Sequence, residues 1–288
     1  MIVRRDELIS AQYFLAVAGV AAMRRILLAP SDVMPRLEDA RRVIEALDEF
    51  PNNIRIPVVV CDVIEAYDAW APVYDAGPNA ATELDSEVVR ALLEPLPRGS
   101  ALDAACGTGR QSLTLVELGY EVEGVDLNET MLAIARERVP AGHFVQGQLD
   151  ALPHEDASFD LAVCSLALTH VVELLPSLRE LARVVKPGGY AVLSDIHPVA
   201  VHLGISAGFR APELTDGIVQ VPNLLHEVSE YVNGFLATGW EVCECVEPEM
   251  PDSAISGHPA YPVVPDAVRG AFDGLPFLLA WKLRRRSD

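Results

Sequence analysis

Apolar residues in the middle of the chain fall into short runs at 101–105, 121–125, 143–145, 159–164 and 190–195, each closed by glycine, proline or polar residues. Between them, positions 110–118, 129–138 and 172–185 carry apolar residues at helical spacing, the second stretch following Asn128 as its cap. Runs this short suit buried strands, and their alternation with helical stretches predicts a parallel sheet covered by helices. Gly188 and Gly189, after Lys186-Pro187, predict the loop that feeds the fifth strand. Further on, 228–238 reads as a helix, and 240–246 with 277–283 as a terminal hairpin. The long connection in that hairpin holds Pro248, Pro251, Pro259, Pro262 and Pro265, and an ordered loop is expected there.

Residues 1–66 have a different texture and predict a helical extension in front of a domain at 67–288. A first helix is expected over 6–28, stopped by Pro30, with a middle that is apolar nearly all round and must therefore be covered. Its apolar run at 11–23 is shorter than the ~20 residues a membrane span needs, and Asp6 and Glu7 spoil the cationic start of a signal peptide. A second helix follows Ser31 and Asp32, with a stripe of Leu37, Ala40, Val43, Ile44 and Leu47. Residues 56–61 suggest a short strand or an extended crossing, and Pro57 argues for a sheet edge.

Charge narrows the function classes. The 288 residues include 22 basic and 42 acidic ones, a formal net charge of −20, which argues against electrostatic capture of nucleic acid or an anionic membrane. The one basic cluster, Arg284 to Arg286, lies at the extreme C-terminus and reads as a solvated tail. Five scattered cysteines without C-x-x-C spacing suit reduced thiols in a cytoplasmic protein, and no metal site is expected, the Cys243 and Cys245 pair included.

The chemistry concentrates at Ala101-Leu102-Asp103-Ala104-Ala105-Cys106-Gly107-Thr108-Gly109-Arg110, a strand running into a glycine turn and then a helix. The glycines permit positive φ and close approach of a ligand, and the helix presents unpaired N–H groups. Asp126 closes the second strand, 126 − 109 = 17 residues after Gly109, where a carboxylate can accept both hydroxyls of a ribose. A nucleoside-bearing cofactor is expected. Asp103 at the first strand's end would repel a pyrophosphate and attract a cationic sulfonium.

These residues resemble motif I of the class I S-adenosylmethionine-dependent methyltransferases. The likeness continues through Val122-Glu123-Gly124-Val125-Asp126-Leu127-Asn128, Asp156-Ala157-Ser158-Phe159-Asp160 and Arg183-Val184-Val185-Lys186-Pro187-Gly188-Gly189, and it covers about residues 67–246. It implies an α/β fold, a Rossmann-like seven-stranded sheet with helices on both faces, and S-adenosyl-L-methionine as cofactor. By the same resemblance Asp103, Ala105, Gly107 and Gly109 cradle the methionyl part, Ser165 and Leu166 flank it, Asp126 holds the ribose and Leu127 packs on adenine. Tyr67, Trp70 and Tyr74 resemble the aromatic segment that closes over the cofactor, with ordinary core packing as the alternative. Where the family reads Gly-Asp after the third strand, this chain reads Gly147-Gln148-Leu149-Asp150. The adenine contact is thereby left open between Gln148, next to Leu149, and Asp150.

On the acceptor side, His170 follows the fourth strand, His197 the fifth, and His226 precedes the helix at 228–238; these are the candidate bases. The insertion at 197–226 carries Phe209, Leu214, Val219 and Val221 among few charges, as a lid over an apolar acceptor would. Neither Asn-Pro-Pro-Tyr nor a Pro-Cys nucleophile follows the fourth strand, so the patterns of base-modifying DNA methyltransferases are missing. A small, fairly hydrophobic metabolite is expected as acceptor, in specialised metabolism; the layout also resembles natural-product C-methyltransferases acting on prenylated indole alkaloids such as teleocidins. The first helix is expected to join copies of the chain into a homo-oligomer. The rival readings are a cofactor-binding protein that transfers no methyl group, serving as a cyclase or regulatory subunit, and an NAD(P)-dependent reductase.

Overall fold

The computed structural model describes residues 2–28, 55–212 and 214–287, together with positions 38, 41 and 44. Along the chain run β1 (Ile2–Ile9), α1 (Ser10–Leu28), β2 (Arg55–Cys61), α2 (Val63–Trp70), α3 (Ala80–Leu93), β3 (Ser100–Ala104), α4 (Arg110–Glu117) and β4 (Glu121–Asp126). There follow α5 (Glu129–Arg138), β5 (His143–Gln146), β6 (Phe159–Ser165), α6 (Leu174–Val184), β7 (Val185–Ile196) and α7 (Pro198–His202). The last third holds β8 (Ala207–Phe209), β9 (Ile218–Val221), α8 (Val228–Ala237), β10 (Trp240–Val246), α9 (Asp252–Ser256), α10 (Pro265–Phe272) and β11 (Leu278–Arg285).

These elements form two units. The larger comprises Val63–Ala207, Pro222–Pro248 and Pro276–Asp288 and holds a seven-stranded sheet of order β10-β11-β7-β6-β3-β4-β5. Its central pairings are parallel, whereas β11 pairs antiparallel with both β7 and β10. One face buries Leu102, Ala104, Ala162, Cys164 and Leu193, and the other buries Ala101, Leu161, Val163 and Val192. Strands covered on both faces need apolar residues at successive positions, which is why they read as short unbroken runs. The expected Rossmann-like seven-stranded fold is the one observed. β7 begins earlier than expected, at Val185, and takes the glycine pair into the strand, with a register irregularity against β6.

The smaller unit comprises Met1–Asp62, Gly208–Val221 and Glu249–Leu275. It differs from the expected helical extension. Residues 2–9 are a strand, the helix starts at Ser10, and the four-stranded sheet runs β1-β2-β9-β8. Nor is β2 an edge: it pairs with β1 antiparallel and with β9 parallel. Pro57 is tolerated because the β9 ladder begins one residue later, at Val58 opposite Ile218, so no N–H is asked of it on that side. Of the expected second helix, Leu37, Ala40, Val43 and Leu47 lie outside the described residues, and Ile44 is helical and exposed.

Helix α1 buries Phe14, Val17, Ala18 and Ala21, a stripe at spacing 3, 1 and 3, and packs on α10. Arg24 donates to the carbonyls of Ala271 at 2.6 Å and Asp273 at 2.8 Å, so a guanidinium caps the negative end of α10. The expected long loop before β11 is in fact helical in two places. Pro251 is the N-cap of α9 and Pro265 opens α10, positions where the missing N–H and fixed φ favour a helix. The 197–226 segment is likewise divided, since Gly208–Val221 builds strands of the smaller unit. Among the described residues no helix is long and apolar enough to cross a membrane.

Candidate active site

In the larger unit β3 and β6 lie side by side, and the chain proceeds outward from them in opposite directions. Their carboxyl ends therefore meet at a topological switch point, where open α/β sheets bind ligands. A cavity of about 590 Å³ lies here. At its base the chain leaves β3 with positive φ at Ala105 (59°), Gly107 (53°) and Gly109 (81°). A Cβ built on Gly107 would meet no atom within 4 Å, so the backbone is bare where it borders the cavity. At Gly109 a Cβ would lie 3.2 Å from Ala135 of α5, so close helix approach as well as φ demands glycine. Gly109 also caps α4 with no side chain over its first turn, leaving the helix's positive end to a ligand.

Asp126 is held by two backbone amides: Gly107 N–H donates to Oδ2 and Asn128 N–H to Oδ1, both at 2.8 Å. Each oxygen keeps a further lone pair, as binding a ribose diol requires. Burial raises its pKa, and the amides of Asn128, Gly107 and Leu127 oppose that rise. Asp103, 1% exposed, accepts from Ser112 Oγ at 2.6 Å; burial pushes its pKa up to about 6 against the pull of Ser112 and Arg110. Asn128 caps α5 through Met131 N–H at 2.9 Å, and its Nδ2 donates to Asp68 of α2 at 2.9 Å, tying that helix to the site.

Charge gives the cavity its character. Its wall carries the carboxylates of Asp103, Asp126, Asp150 and Glu173 against one guanidinium, Arg110. Arg110 is already matched, lying 2.8 Å from Asp85 Oδ2. Asp85 is fully buried and also accepts from Gln111 Nε2 at 2.9 Å and from the hydroxyls of Ser165 and Ser194, each at 2.5 Å. A cationic ligand is favoured in such a site and a pyrophosphate is opposed.

Residues 102–193 match a family described as "Methyltransferase domain". A crystal structure of an S-adenosylmethionine-dependent methyltransferase from Mesorhizobium loti is similar with a TM-score of 0.51 at 25% identity, over 69% of this chain and 96% of that one. Residues 102–193 are a class I S-adenosylmethionine-dependent methyltransferase domain. Its cofactor is S-adenosylmethionine, and the negative wall, the bare glycine turn and the amide-held Asp126 all suit that cation. The malonyl-[acyl-carrier protein] O-methyltransferase of Pseudescherichia vulneris is 34% identical over 175 residues, 61% of this chain and 63% of that protein. The demethylmenaquinone methyltransferase of Renibacterium salmoninarum is 33% identical over 154 residues, 53% of this chain and 63% of that protein. The chain thus spans less than two thirds of the length of these relatives.

The larger unit gathers nearly all the expected cofactor residues around one cavity: Tyr67, Tyr74, Asp103, Ala105, Gly107, Asp126, Leu127, Gln148, Leu149, Ser165 and Leu166 border it, with Gly109 capping the adjoining helix. Ser165 is drawn into the Asp85 network and receives Arg110 Nη2 at 3.1 Å. Tyr67, Trp70 and Tyr74 form one aromatic cluster, with ring centroids 4.9–6.0 Å apart. Gln148 and Asp150 both line the wall, flanking a turn closed by Ala151 N–H to Gln148 O at 3.2 Å.

The three histidines part company. His170 borders the cavity, whereas His197 and His226 are not among its lining residues. His197 caps α7, Nδ1 accepting from Val199 N–H at 3.1 Å and Nε2 donating to Glu247 at 2.9 Å. His226 is 5% exposed and donates through Nε2 to Val171 O at 2.8 Å. Both are occupied in holding loops.

Sequence reading missed Asp85, Gln111, Ser112, Ser194 and Asp195. Asp85 did leave a signal, because it shares one helical stripe with Val89, Leu92 and Leu93, and a carboxylate on an apolar stripe must find partners when buried. Asp195, 2% exposed, accepts from Thr169 N–H at 2.7 Å and from Thr169 Oγ1 and Ile196 N–H at 2.8 Å. Burial pushes its pKa up to about 6 against those hydrogen bonds. It pins the 3₁₀ turn Leu168–His170 to β7.

Proposed function

We propose that this chain transfers a methyl group from S-adenosylmethionine to a small, fairly hydrophobic acceptor that bears no negative charge. The observation that carries the reading is the wall itself: four carboxylates and a single guanidinium that Asp85 already neutralises. The bound cofactor supplies a methyl carbon made electrophilic by positive sulfur, so the protein's work is to orient the partners and exclude water. Asp126 orients the ribose end. Asp103 and the glycine turn hold the methionyl end, Leu127 packs on adenine, and Gln148 or Asp150 meets its amino group.

Two acceptor chemistries stand in the relatives' names, a malonyl group on a carrier protein and a demethylmenaquinone. A malonyl carboxylate would enter this wall without a free cation, while a neutral quinol ring would meet Tyr67 and Tyr74 of the aromatic cluster. Neither name supports specialised metabolism, so the search for the acceptor starts with quinol-like rings. The test is calorimetry with S-adenosylmethionine, S-adenosylhomocysteine and NADPH, followed by mass spectrometry of mixtures containing 1,4-naphthohydroquinone or malonyl-pantetheine. Binding of S-adenosylmethionine and methylation of the naphthohydroquinone are expected. Faster methylation of malonyl-pantetheine would overturn the charge argument, tight NADPH binding in place of S-adenosylmethionine would restore the reductase, and cofactor binding with no methyl product would point to the non-transferring role.

A further inference from the structure

Tyr67 and His170 make a pair whose proton positions can be worked out from their partners. His170 Nδ1 lies 3.2 Å from the Pro222 carbonyl, which can only accept, so Nδ1 carries the ring proton. In the neutral ring Nε2 is then a bare lone pair, and Tyr67 Oη, 3.0 Å away, donates to it. Burial lowers the His170 pKa, keeping the ring neutral and basic at pH 7, and raises that of Tyr67, so the phenol keeps its hydrogen. With that hydrogen committed to His170, Tyr67 Oη offers only lone pairs elsewhere, and both residues border the cavity. The turn that carries the ring is held in place, since Asp195 grips Thr169, the neighbour of His170, through backbone and side chain.

We propose that Tyr67 and His170 form a two-residue proton relay, in which Tyr67 Oη takes the proton leaving the acceptor while its own hydroxyl proton passes to His170 Nε2. The proposal rests on the methyl-transfer reading and narrows it to nucleophiles that must shed a proton, such as a phenol, an enol or a hydroquinone. The electron pair of the broken O–H or C–H bond stays with the acceptor and forms the bond to the methyl carbon, and the pair of the broken carbon–sulfur bond stays on sulfur. His170 ends as an imidazolium whose Nδ1–H still rests on Pro222 O. Tyr67 is the catalytic residue, and His170 acts through it. The charged and titratable groups that act on Tyr67 are Tyr74, Asp126 and Asp195, and all three favour keeping its hydrogen.

The test uses the full chain and the variants Tyr67→Phe, His170→Asn and His170→Ala, with binding of S-adenosylhomocysteine as the check that each still folds and holds cofactor. Histidine NMR gives the His170 pKa and tautomer, and the rate of methylation of 1,4-naphthohydroquinone is followed from pH 5 to 9. The wild-type rate should fall on the acid side at the His170 pKa. Both Tyr67→Phe and His170→Asn should lose at least ~100-fold in kcat, the usual scale for a general base, with KM little changed and the acid limb gone. Variants that keep the acid limb, or that lose rate only through KM, would show a merely structural pair and overturn the relay. If the wild type methylates nothing, the methyl-transfer reading fails separately. The relay is then judged by NMR alone: naphthohydroquinone added to the S-adenosylhomocysteine-loaded protein should move the His170 Nε2 signal in wild type and not in Tyr67→Phe, and an unmoved wild-type signal overturns it.

Discussion

Replacing Asp103 by Asn isolates the cost of keeping a carboxylate under the cofactor. Asp103 is 1% exposed, and its folded-state pKa of about 6 stands above the ordinary 3.8. At 1.36 kcal/mol per pH unit, that difference is a penalty of about 3 kcal/mol on the folded protein once the group is ionised. The sign follows from the proton count. Between the two values the folded chain holds more protons than the unfolded one, so the stability tied to the protonated form is complete below about pH 4 and is lost as pH rises through 6. Over the accessible range from pH 5 to pH 8 the loss is about 1 kcal/mol. Asp195 titrates in the same range and is present in both proteins, so it cancels in the comparison. Urea unfolding of wild type and Asp103→Asn at pH 5 and pH 8 should therefore show the difference shifting toward the variant by about 1 kcal/mol. At pH 8 the variant should also bind S-adenosylmethionine about 10- to 100-fold more weakly, the scale of a lost charged hydrogen bond. Wild-type affinity should fall below pH 6 and the variant's should not. A stability difference that does not move between pH 5 and pH 8, or moves the other way, would refute the reasoning.

Other outcomes follow from single contacts. Asp126→Ala removes the acceptor of the Gly107 and Asn128 amides and should abolish measurable calorimetric binding of S-adenosylhomocysteine. Gly189→Ala would place a Cβ 2.8 Å from the Asp160 carbonyl and 2.9 Å from that of Lys186, so backbone must shift; a loss of about 1–3 kcal/mol in urea unfolding is expected. Thr169→Val leaves a buried Asp195 oxygen short of a donor and should cost about 1–3 kcal/mol while lowering methylation, since the turn bearing His170 loosens. We also propose that a second copy covers the outer face of α1, where Leu15 is 36% and Met23 68% exposed; Met23→Glu should then lower the sedimentation coefficient, and an unchanged value would dismiss that oligomer.

The parallel core could be read from the chain almost residue by residue. Strands covered on both faces must be apolar at successive positions, and the helix 129–138 announced its own cap at Asn128. The glycine turn and Asp126 were equally legible, because positive φ and a strand-end carboxylate at fixed spacing are local demands. What failed were features whose cause lies far along the chain. Residues 2–9 became a strand because 55–61 and 218–221 supply its sheet, and Pro251 and Pro265 began helices where a loop was expected. The histidines show the same limit: three stood after strands or before a helix, and only the fold put one against the cavity and gave two to loop carbonyls, caps and carboxylates.

By itself, then, the sequence determined the order of strands and helices in the parallel core, the cofactor turn and the surplus of negative charge, each set by residues within about one element of each other. The tertiary structure alone decided that Asp85 meets Ser165 across 80 residues, that Tyr67 meets His170 across 103, and that the wall's one guanidinium is already paired. The reason is physical: periodicity and turn chemistry act over a few residues, whereas a buried charge or a proton relay depends on which distant groups the packed chain brings within 3 Å.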